Sequence, residues 1–224
     1  MSTTDPSTVA PAYITIYVGG FMYLFGTIGN IMNILVFSYL KTYRSLATSA
    51  FIIASSITGQ MFITFTNFLP FLTYILGYDP SARNSAFCSF VMFIKTVSPQ
   101  ISMTCLCLSA IDRYLKTTRS IQFRILFNLK RARLIICLSI LTWSCYSIPN
   151  AIYIRTSNYF NSCAPMMSFL RISAYLNLFF NILLPISIMV VFGLLTWKNL
   201  GRIQQSSLSL QVRKFFLKSS RIFS

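Results

Sequence analysis

Histidine is absent from this chain of 224 residues, and acidic residues are rare, with 3 against 19 Lys and Arg. Without histidine there is no imidazole to serve as a general base, a metal ligand or a pH switch. The three acids, Asp5, Asp79 and Asp112, are too scattered to form a paired-carboxylate site. These absences argue against hydrolytic and metal-dependent enzymes, and we expect neither a cofactor nor a metal site.

Charge of either sign is also scarce, at 10% of the chain, whereas soluble domains carry about a quarter. Apolar residues make up 55% and gather into five stretches with at most one charge each. Each stretch has at least the roughly 20 residues that a helix needs to cross the hydrocarbon of a bilayer. The sequence therefore predicts an all-α, polytopic transmembrane bundle with spanning helices at 13–40, 46–76, 84–116, 131–154 and 171–197.

Basic residues fall mostly on one side of the predicted bundle. With the N-terminus outside, the outer segments carry three, and the inner segments carry two in the first loop, seven in the second and six after the fifth helix. The inner ones are Lys41, Arg44, Arg113, Lys116, Arg119, Arg124, Lys130, Arg131, Arg133, Lys198, Arg202, Arg213, Lys214, Lys218 and Arg221. This bias predicts an outside N-terminus and a cytosolic C-terminus. Topology then explains the formal charge of +16 without nucleic-acid binding, and attraction to anionic inner-leaflet lipid is secondary.

Two polar segments flank the apolar region. Residues 1–12 are rich in Ser, Thr and Pro and predict a disordered extracellular N-terminus. Residues 198–224 are polar and basic and predict a cytosolic tail, in which we expect 204–209 to lack regular structure. Four prolines inside predicted spans indicate either simple kinks or hinges that open a cavity: Pro70, Pro99, Pro149 and Pro185.

Two of the six cysteines, Cys88 and Cys163, lie at or beyond the outer boundary of the predicted bundle. The other four fall inside spans, where a thiol behaves as a small apolar side chain. Because the outer compartment is oxidising, the natural inference is a Cys88–Cys163 disulfide, and two free surface thiols are the alternative. Because a bridge between these two cysteines would close a long loop, it would contribute on the order of 4 kcal/mol to the free energy of unfolding.

Asp112, Arg113 and Tyr114 lie where the third predicted span reaches the cytosol. The tripeptide alone fits an ordinary helix end, at which Arg113 snorkels and Asp112 neutralises it. It also fits a switch, in which an arginine held by its neighbouring aspartate is released to a cytosolic partner. Its place at the end of the third span, 25 positions after Cys88, favours the switch.

In this combination the sequence resembles the rhodopsin-like G-protein-coupled receptors. The resemblance covers roughly residues 14–200 and rests on Gly29-Asn30, Cys88, Asp112-Arg113-Tyr114, Trp143, Cys163 and Pro185. It implies five helices of a seven-helix receptor fold in the plasma membrane, an extracellular ligand and coupling to a heterotrimeric G protein through Arg113. It also implies structural roles for Asn30, Trp143 and Pro185, and a cysteine pair that shapes the mouth of the ligand pocket.

The sequence departs from the family pattern at three places. Residues 55–60 offer no acid to pair with Asn30, where the family usually has an aspartate that helps to bind sodium. Gly193 stands eight residues after Pro185, where many members have a tyrosine that supports the active state. The sequence also ends after the fifth predicted helix. We therefore expect residues 1–224 to insert in the membrane but not to activate a G protein alone.

Lys95 is the one charge inside the five apolar stretches, which run over 13–40, 45–78, 84–111, 134–154 and 172–197, and it lies about five helical turns above Arg113. An intramembrane lysine marks a functional site by default. The resemblance places it where amine receptors hold an ammonium-binding aspartate, so a lysine would favour an anionic ligand group, such as a peptide carboxylate. The alternative is that the ammonium snorkels to the outer interface.

Three functions compete. The first is a receptor that senses an extracellular ligand, with a peptide as one candidate, and signals to a G protein. The second is a truncated receptor that acts by associating with intact receptors in oligomers. A transporter or channel subunit is the third, but it would require several intramembrane charges or inverted repeats. Enzymes rank last, because Cys105 and Cys107 have no base partner.

Overall fold

The computed structural model describes residues 6–41, 46–76, 84–118, 128–152, 154–157, 162–165 and 174–220. Within these ranges the chain forms helices α1 (Pro6–Tyr39), α2 (47–76), α3 (Ser85–Thr117), α4 (Leu129–Ile152) and α5 (174–220), with strands β1 (Ile154–Ser157) and β2 (Ser162–Pro165) between α4 and α5. All five helices include a stretch long and apolar enough to cross a membrane. The predicted polytopic bundle of five spanning helices is confirmed.

The central element of the bundle is α3. It packs against α2, α4 and α5, whereas α1 packs mainly against α2. The largest buried side chain is Phe51 of α2, in a core formed by Ala47, Phe51, Val97, Ile101, Cys105 and Ala132. The spans of α1 and α5 bury almost none of their residues, which fits helices that present apolar side chains to lipid tails. We call the end at which α1 and α3 finish the inner end, and the opposite one the outer end.

A close approach joins α1 to α2. A Cβ added at Gly26 would lie 2.9 Å from the δ-methyl of Ile63, whereas one added at Gly29 would meet nothing within 4 Å. Small residues let membrane helices approach each other closely. Gly26, which the family resemblance did not mark, is therefore the glycine that sets this contact.

Two of the four prolines within spans follow π-helical segments. Segment Thr64–Phe68 precedes Pro70 in α2, and segment Phe179–Leu183 precedes Pro185 in α5. A proline cannot donate to the carbonyl four residues earlier, and its ring clashes with that carbonyl. In both helices the residue four positions earlier lies inside the π segment, where wider turns remove the clash. Pro99 and Pro149 lie inside α-helix.

The helices extend further at both ends of the chain than the sequence predicts. The predicted disorder of residues 1–12 is wrong from Pro6 onward, and residues 1–5 lie outside the described residues. Pro6 suits the first helical position, and extending a helix costs no new nucleation. Likewise α5 continues to Ser220, so the irregular structure expected at 204–209 is wrong. That stretch lacks proline, and its Gln and Leu residues favour helix.

A short antiparallel hairpin follows α4, in the segment expected to be the second outer loop. Its register pairs Ile154 with Pro165 and Thr156 with Cys163, and β1 contacts α3. The sequence analysis did not predict it, because four residues are too few to show a strand alternation. The hairpin places the backbone of Cys163 at the outer end of the bundle, which also holds Cys88.

Candidate switch site and outer polar cluster

Asp112 lies near the inner end of α3 and is only 1% exposed. Its carboxylate accepts hydrogen bonds from the Thr48 hydroxyl of α2 and from the Lys116 ammonium, the latter at 2.6 Å. The ammonium also donates to Thr48 Oγ1 at 2.9 Å. A buried carboxylate is tolerated only with such partners. The three side chains, which we call the inner lock, therefore tie α2 to α3.

Arg113 is exposed and lies on a different side of α3 from the inner lock. It lines a cavity of about 560 Å³ between α1, α2, α3 and α5, which Gly193 also lines. Among the described side chains, the ion pair of Asp112 is with Lys116, and none joins it to Arg113. In this structure Asp112 is therefore held by Lys116 and not by its neighbour Arg113, and the switch itself stays a prediction.

Helix geometry explains this pairing. Residues at i and i+4 lie on the same helical face, whereas adjacent residues point about 100° apart. Asp112 can therefore face Lys116 and Thr48 while Arg113 faces the cavity. Lys116 and Thr48 were not among the predicted site residues, although the spacing of four between Asp112 and Lys116 indicates a shared helical face.

Tyr114 completes the tripeptide by facing α5. Its ring makes an edge contact with Phe192, with ring centroids 5.5 Å apart. The hydroxyls of Thr117 and Thr118 donate to the Tyr114 carbonyl at 2.8 and 3.1 Å, which closes the end of α3. Asp112, Arg113 and Tyr114 are therefore directed respectively to α2, the cavity and α5.

The side chain of Asn30 is hydrogen-bonded to an uncharged side chain of α2. Its side-chain amide donates to Gln60 Oε1 at 3.2 Å, and Gln60 donates to the Thr27 hydroxyl at 3.0 Å. The partner of Asn30 in α2 is therefore an uncharged amide. No carboxylate belongs to this network within the described residues, so it offers no charge to a cation.

Trp143 and Pro185 connect α4 and α5 to the centre of the bundle. The indole N–H of Trp143 donates to Thr104 of α3 at 2.9 Å, and its ring meets Phe180 of α5 edge-on at 5.5 Å. Pro185 is buried, and its carbonyl accepts a contact from the Cys107 thiol at 3.9 Å. These contacts are those expected of residues that pack helices together.

The outer half of α3 carries Cys88 and Lys95. Cys88 is 1% exposed and disulfide-bonded, and Lys95 is half-buried. The backbone of Cys163 lies in β2, but its side chain is outside the described set, so the Cys88–Cys163 pairing stays a prediction.

Polar side chains of α3 and α5 that the sequence pattern did not reveal form a group that we call the outer polar cluster, consisting of Gln100, Asn177 and Asn181. Gln100 is 1% exposed and donates from Nε2 to Asn177 Oδ1 at 3.2 Å. Gln100 Oε1 and Asn181 Oδ1 are buried, and neither has a donor partner among the described residues. The cluster lies about 7 Å inward of Lys95 along α3. Buried acceptors without a donor are costly, so these two oxygens distinguish the cluster from the inner lock. The i, i+4 spacing of two asparagines in a charge-free span was the available signal.

The comparison with protein families matches most of the chain. The model of the family described as 7 transmembrane receptor (rhodopsin family) matches residues 29–219. This range includes Asn30, Lys95, the inner lock, Arg113 and the outer polar cluster, and it confirms the resemblance inferred from the motifs. No curated protein matches the chain.

Proposed function

We propose that this chain, which belongs to the rhodopsin family of seven-transmembrane receptors, senses an extracellular ligand and signals to a heterotrimeric G protein at the plasma membrane. The family is one of receptors and not of enzymes. In this proposal the N-terminus is outside and the inner end faces the cytosol. The observation that carries the proposal is the exposed Arg113 on an open cavity, while the adjacent Asp112 is bound by other residues.

At the inner end, Arg113 is the residue that contacts the G protein. A guanidinium stays charged and presents five donors in a rigid plane, which suits the carbonyl and carboxylate groups of a protein partner. Because Lys116 neutralises Asp112, no described acid competes for that guanidinium. The inner lock leaves α3 fixed against α2, so that movement of other elements decides access to Arg113.

At the outer end, we propose that Cys163 is the disulfide partner of Cys88. In support, Cys88 is disulfide-bonded, and Cys105, Cys107, Cys137 and Cys145 are free thiols. The bridge would hold the β-hairpin over the outer half of α3, where it shapes the mouth of a ligand site.

The ligand we propose is a peptide with a free carboxylate. Lys95 supplies a cation within the outer half of α3, and Gln100 and Asn181 supply buried acceptor oxygens deeper in the bundle. A carboxylate would pair with the ammonium, and peptide N–H groups would satisfy the acceptors.

The experiment is nucleotide exchange on purified G proteins in nanodiscs. Residues 1–224 supply five helices in the described part, and the family has seven, so we expect no stimulation from this chain alone. Co-reconstitution with a second chain carrying helices six and seven of a rhodopsin-family receptor should give a response to peptides with a free carboxylate. Lys95→Glu should abolish that response, and Arg113→Ala should abolish exchange without changing peptide binding.

Three results would contradict parts of the proposal. Stimulation by residues 1–224 alone that disappears in Arg113→Ala would show that five helices are sufficient. Exchange in the completed receptor that persists in Arg113→Ala would remove the role of that arginine. Equal potency of carboxylate and amidated peptides would leave Lys95 to the snorkelling alternative.

A second function, association with an intact receptor, is favoured by the lining of the inner cavity. Its walls carry apolar side chains, among them Phe37, Leu106 and Met189, which a helix of another chain would cover. Energy transfer between labelled chains in one membrane would measure this association. Replacing Leu106 with Lys should reduce it, whereas an unchanged signal would exclude the cavity as the contact.

A further inference from the structure

A second cavity, of about 470 Å³, lies at the inner end between the end of α3 and α5. It is lined by Tyr114, Thr117, Thr118, Asn199, Arg202 and Ile203. None of these residues lines the cavity that holds Arg113, so the two spaces are separate. Five of the six lining side chains are polar or charged.

The cavity lies where both helices leave the hydrocarbon. The charge-free part of α5 ends at Trp197, which is 81% exposed, and Lys198 follows at once. Tryptophan is enriched at the membrane interface, and basic residues beyond it reach the headgroups. Arg202 lies five residues past Trp197, about 7 Å along the helix. The recess is therefore at the depth of lipid headgroups.

No acid among the described residues balances the charge of Arg202. Arg202 is exposed, and Asp112 is the only acid within the described residues. That carboxylate is buried and already bound by Lys116 and Thr48. A guanidinium stays charged and matches the oxygens of a phosphate with two parallel hydrogen bonds. The counter-ion of Arg202 must therefore come from outside the described residues.

The rest of the lining fits the same ligand. The hydroxyls of Thr117 and Thr118 are held by the Tyr114 carbonyl, at 2.8 and 3.1 Å, which makes this wall rigid. Asn199, three residues before Arg202, brings a side-chain amide to the same space. Ile203 gives the recess an apolar side, which suits the glycerol and acyl region of a lipid.

We propose that this cavity binds the phosphate-bearing headgroup of an anionic phospholipid from the leaflet at the inner end. Arg202 pairs with the phosphate, Asn199 donates to one of its oxygens, and the acyl chains run along Ile203 into the bilayer. The bound headgroup bridges α3 and α5 beside Tyr114. This site does not depend on G-protein coupling, and it would exist in a chain that binds no extracellular ligand.

The test is lipid binding measured by native mass spectrometry of the 224-residue chain in detergent. Phosphatidylinositol 4-phosphate is titrated against phosphatidylcholine, and the variants are Arg202→Gln and the matched control Lys198→Gln. Lys198 is an exposed cation one turn earlier on α5 that does not line the cavity. Loss of a charge-assisted pair should weaken binding about tenfold for Arg202→Gln, while Lys198→Gln stays near the unsubstituted chain.

Three results would overturn the proposal. Equal weakening in both variants would mean diffuse attraction to a basic surface. Inositol phosphate without acyl chains that binds as tightly as the lipid would mean a site for a free phosphate compound. Unchanged binding in Asn199→Leu, which keeps every charge, would mean that the cavity does not hold the headgroup. The comparison is restricted to variants whose thermal unfolding temperature equals that of the unsubstituted chain. Arg202→Lys keeps the charge, so its lipid affinity should lie between those of the unsubstituted chain and Arg202→Gln.

Discussion

The two ends of α3 treat buried polar groups in opposite ways. At the inner end, Asp112, Thr48 and Lys116 form a closed set in which the buried carboxylate has two donors. Toward the outer end, Gln100 and Asn181 each keep an acceptor oxygen without a donor among the described residues. A network in which every buried polar group is hydrogen-bonded holds helices together. Buried acceptors without a donor instead favour a molecule that supplies the missing hydrogen bonds. The same helix therefore combines a fixed end with an end suited to binding.

The largest effect is expected from the disulfide that we propose above the outer cluster. Cys163→Ser should lower the free energy of unfolding by about 4 kcal/mol, because the bridge restricts a long loop in the unfolded chain. Thermal unfolding of the detergent-solubilised chain, with and without reductant, measures it. Non-reducing peptide mapping should recover one linked pair with Cys88. If both cysteines alkylate freely without reductant, the pairing is wrong.

Breaking the inner lock should have the next largest effect. Lys116→Met leaves the buried carboxylate of Asp112 with Thr48 alone, and removing one partner of a fully buried pair costs roughly 3–5 kcal/mol. The Lys116 side chain is 32% exposed, so water replaces part of that interaction and the cost will be smaller. The matched variant Asp112→Asn with Lys116→Met should recover stability, as a double-mutant cycle would show. An unchanged unfolding temperature in Lys116→Met would mean that Arg113 takes over the aspartate.

The outer cluster should respond weakly to the same kind of change. Gln100→Leu removes one hydrogen bond to Asn177 and also removes an unpaired buried oxygen, so the two terms largely cancel at about 1 kcal/mol or less. The thermal unfolding temperature of Gln100→Leu should therefore be well above that of Lys116→Met. A loss as large as that of the inner lock would show that Gln100 is already fully satisfied.

The smallest effect distinguishes two glycines of α1. Gly29→Ala meets nothing within 4 Å and should be neutral or slightly stabilising, by a few tenths of a kcal/mol. Gly26→Ala forces the flexible δ-methyl of Ile63 to move, so it should be the less stable of the two. Comparison of the two unfolding temperatures measures the difference. The reverse order would show that α1 and α2 do not meet at Gly26.

Hydropathy and charge predicted the spanning helices well, because the need to bury backbone polar groups in lipid leaves few alternatives to a helix. They did not predict which side chains would pair. Asp112 and Arg113 are neighbours in sequence, and their adjacency suggested a contact that helix geometry disfavours. The partner at i+4, Lys116, and the partner on another helix, Thr48, depend on packing that composition does not encode.

The extensions of α1 and α5 beyond their predicted ends were not predicted, for a related reason. Residues 1–12 and 204–209 are polar in composition, and polar composition predicts irregular structure. A helix that is already nucleated in the bilayer extends through any neighbouring residues that tolerate it. The outer polar cluster was not predicted because amides carry no charge, although three amides within apolar spans are as informative as a lysine.

The π segment of α5 rotates the side chains that follow it relative to those that precede it. On a regular α-helix, Asn177 and Pro185 are eight residues apart and would point about 80° away from each other. A wider turn that takes up one additional residue reduces this angle to about 20°. Both residues then face α3, where Asn177 meets Gln100 and the carbonyl of Pro185 meets Cys107. A helical wheel for α5 must accordingly be drawn in two parts, joined at Phe179–Leu183, and substitutions on either side should be chosen from the part that contains them.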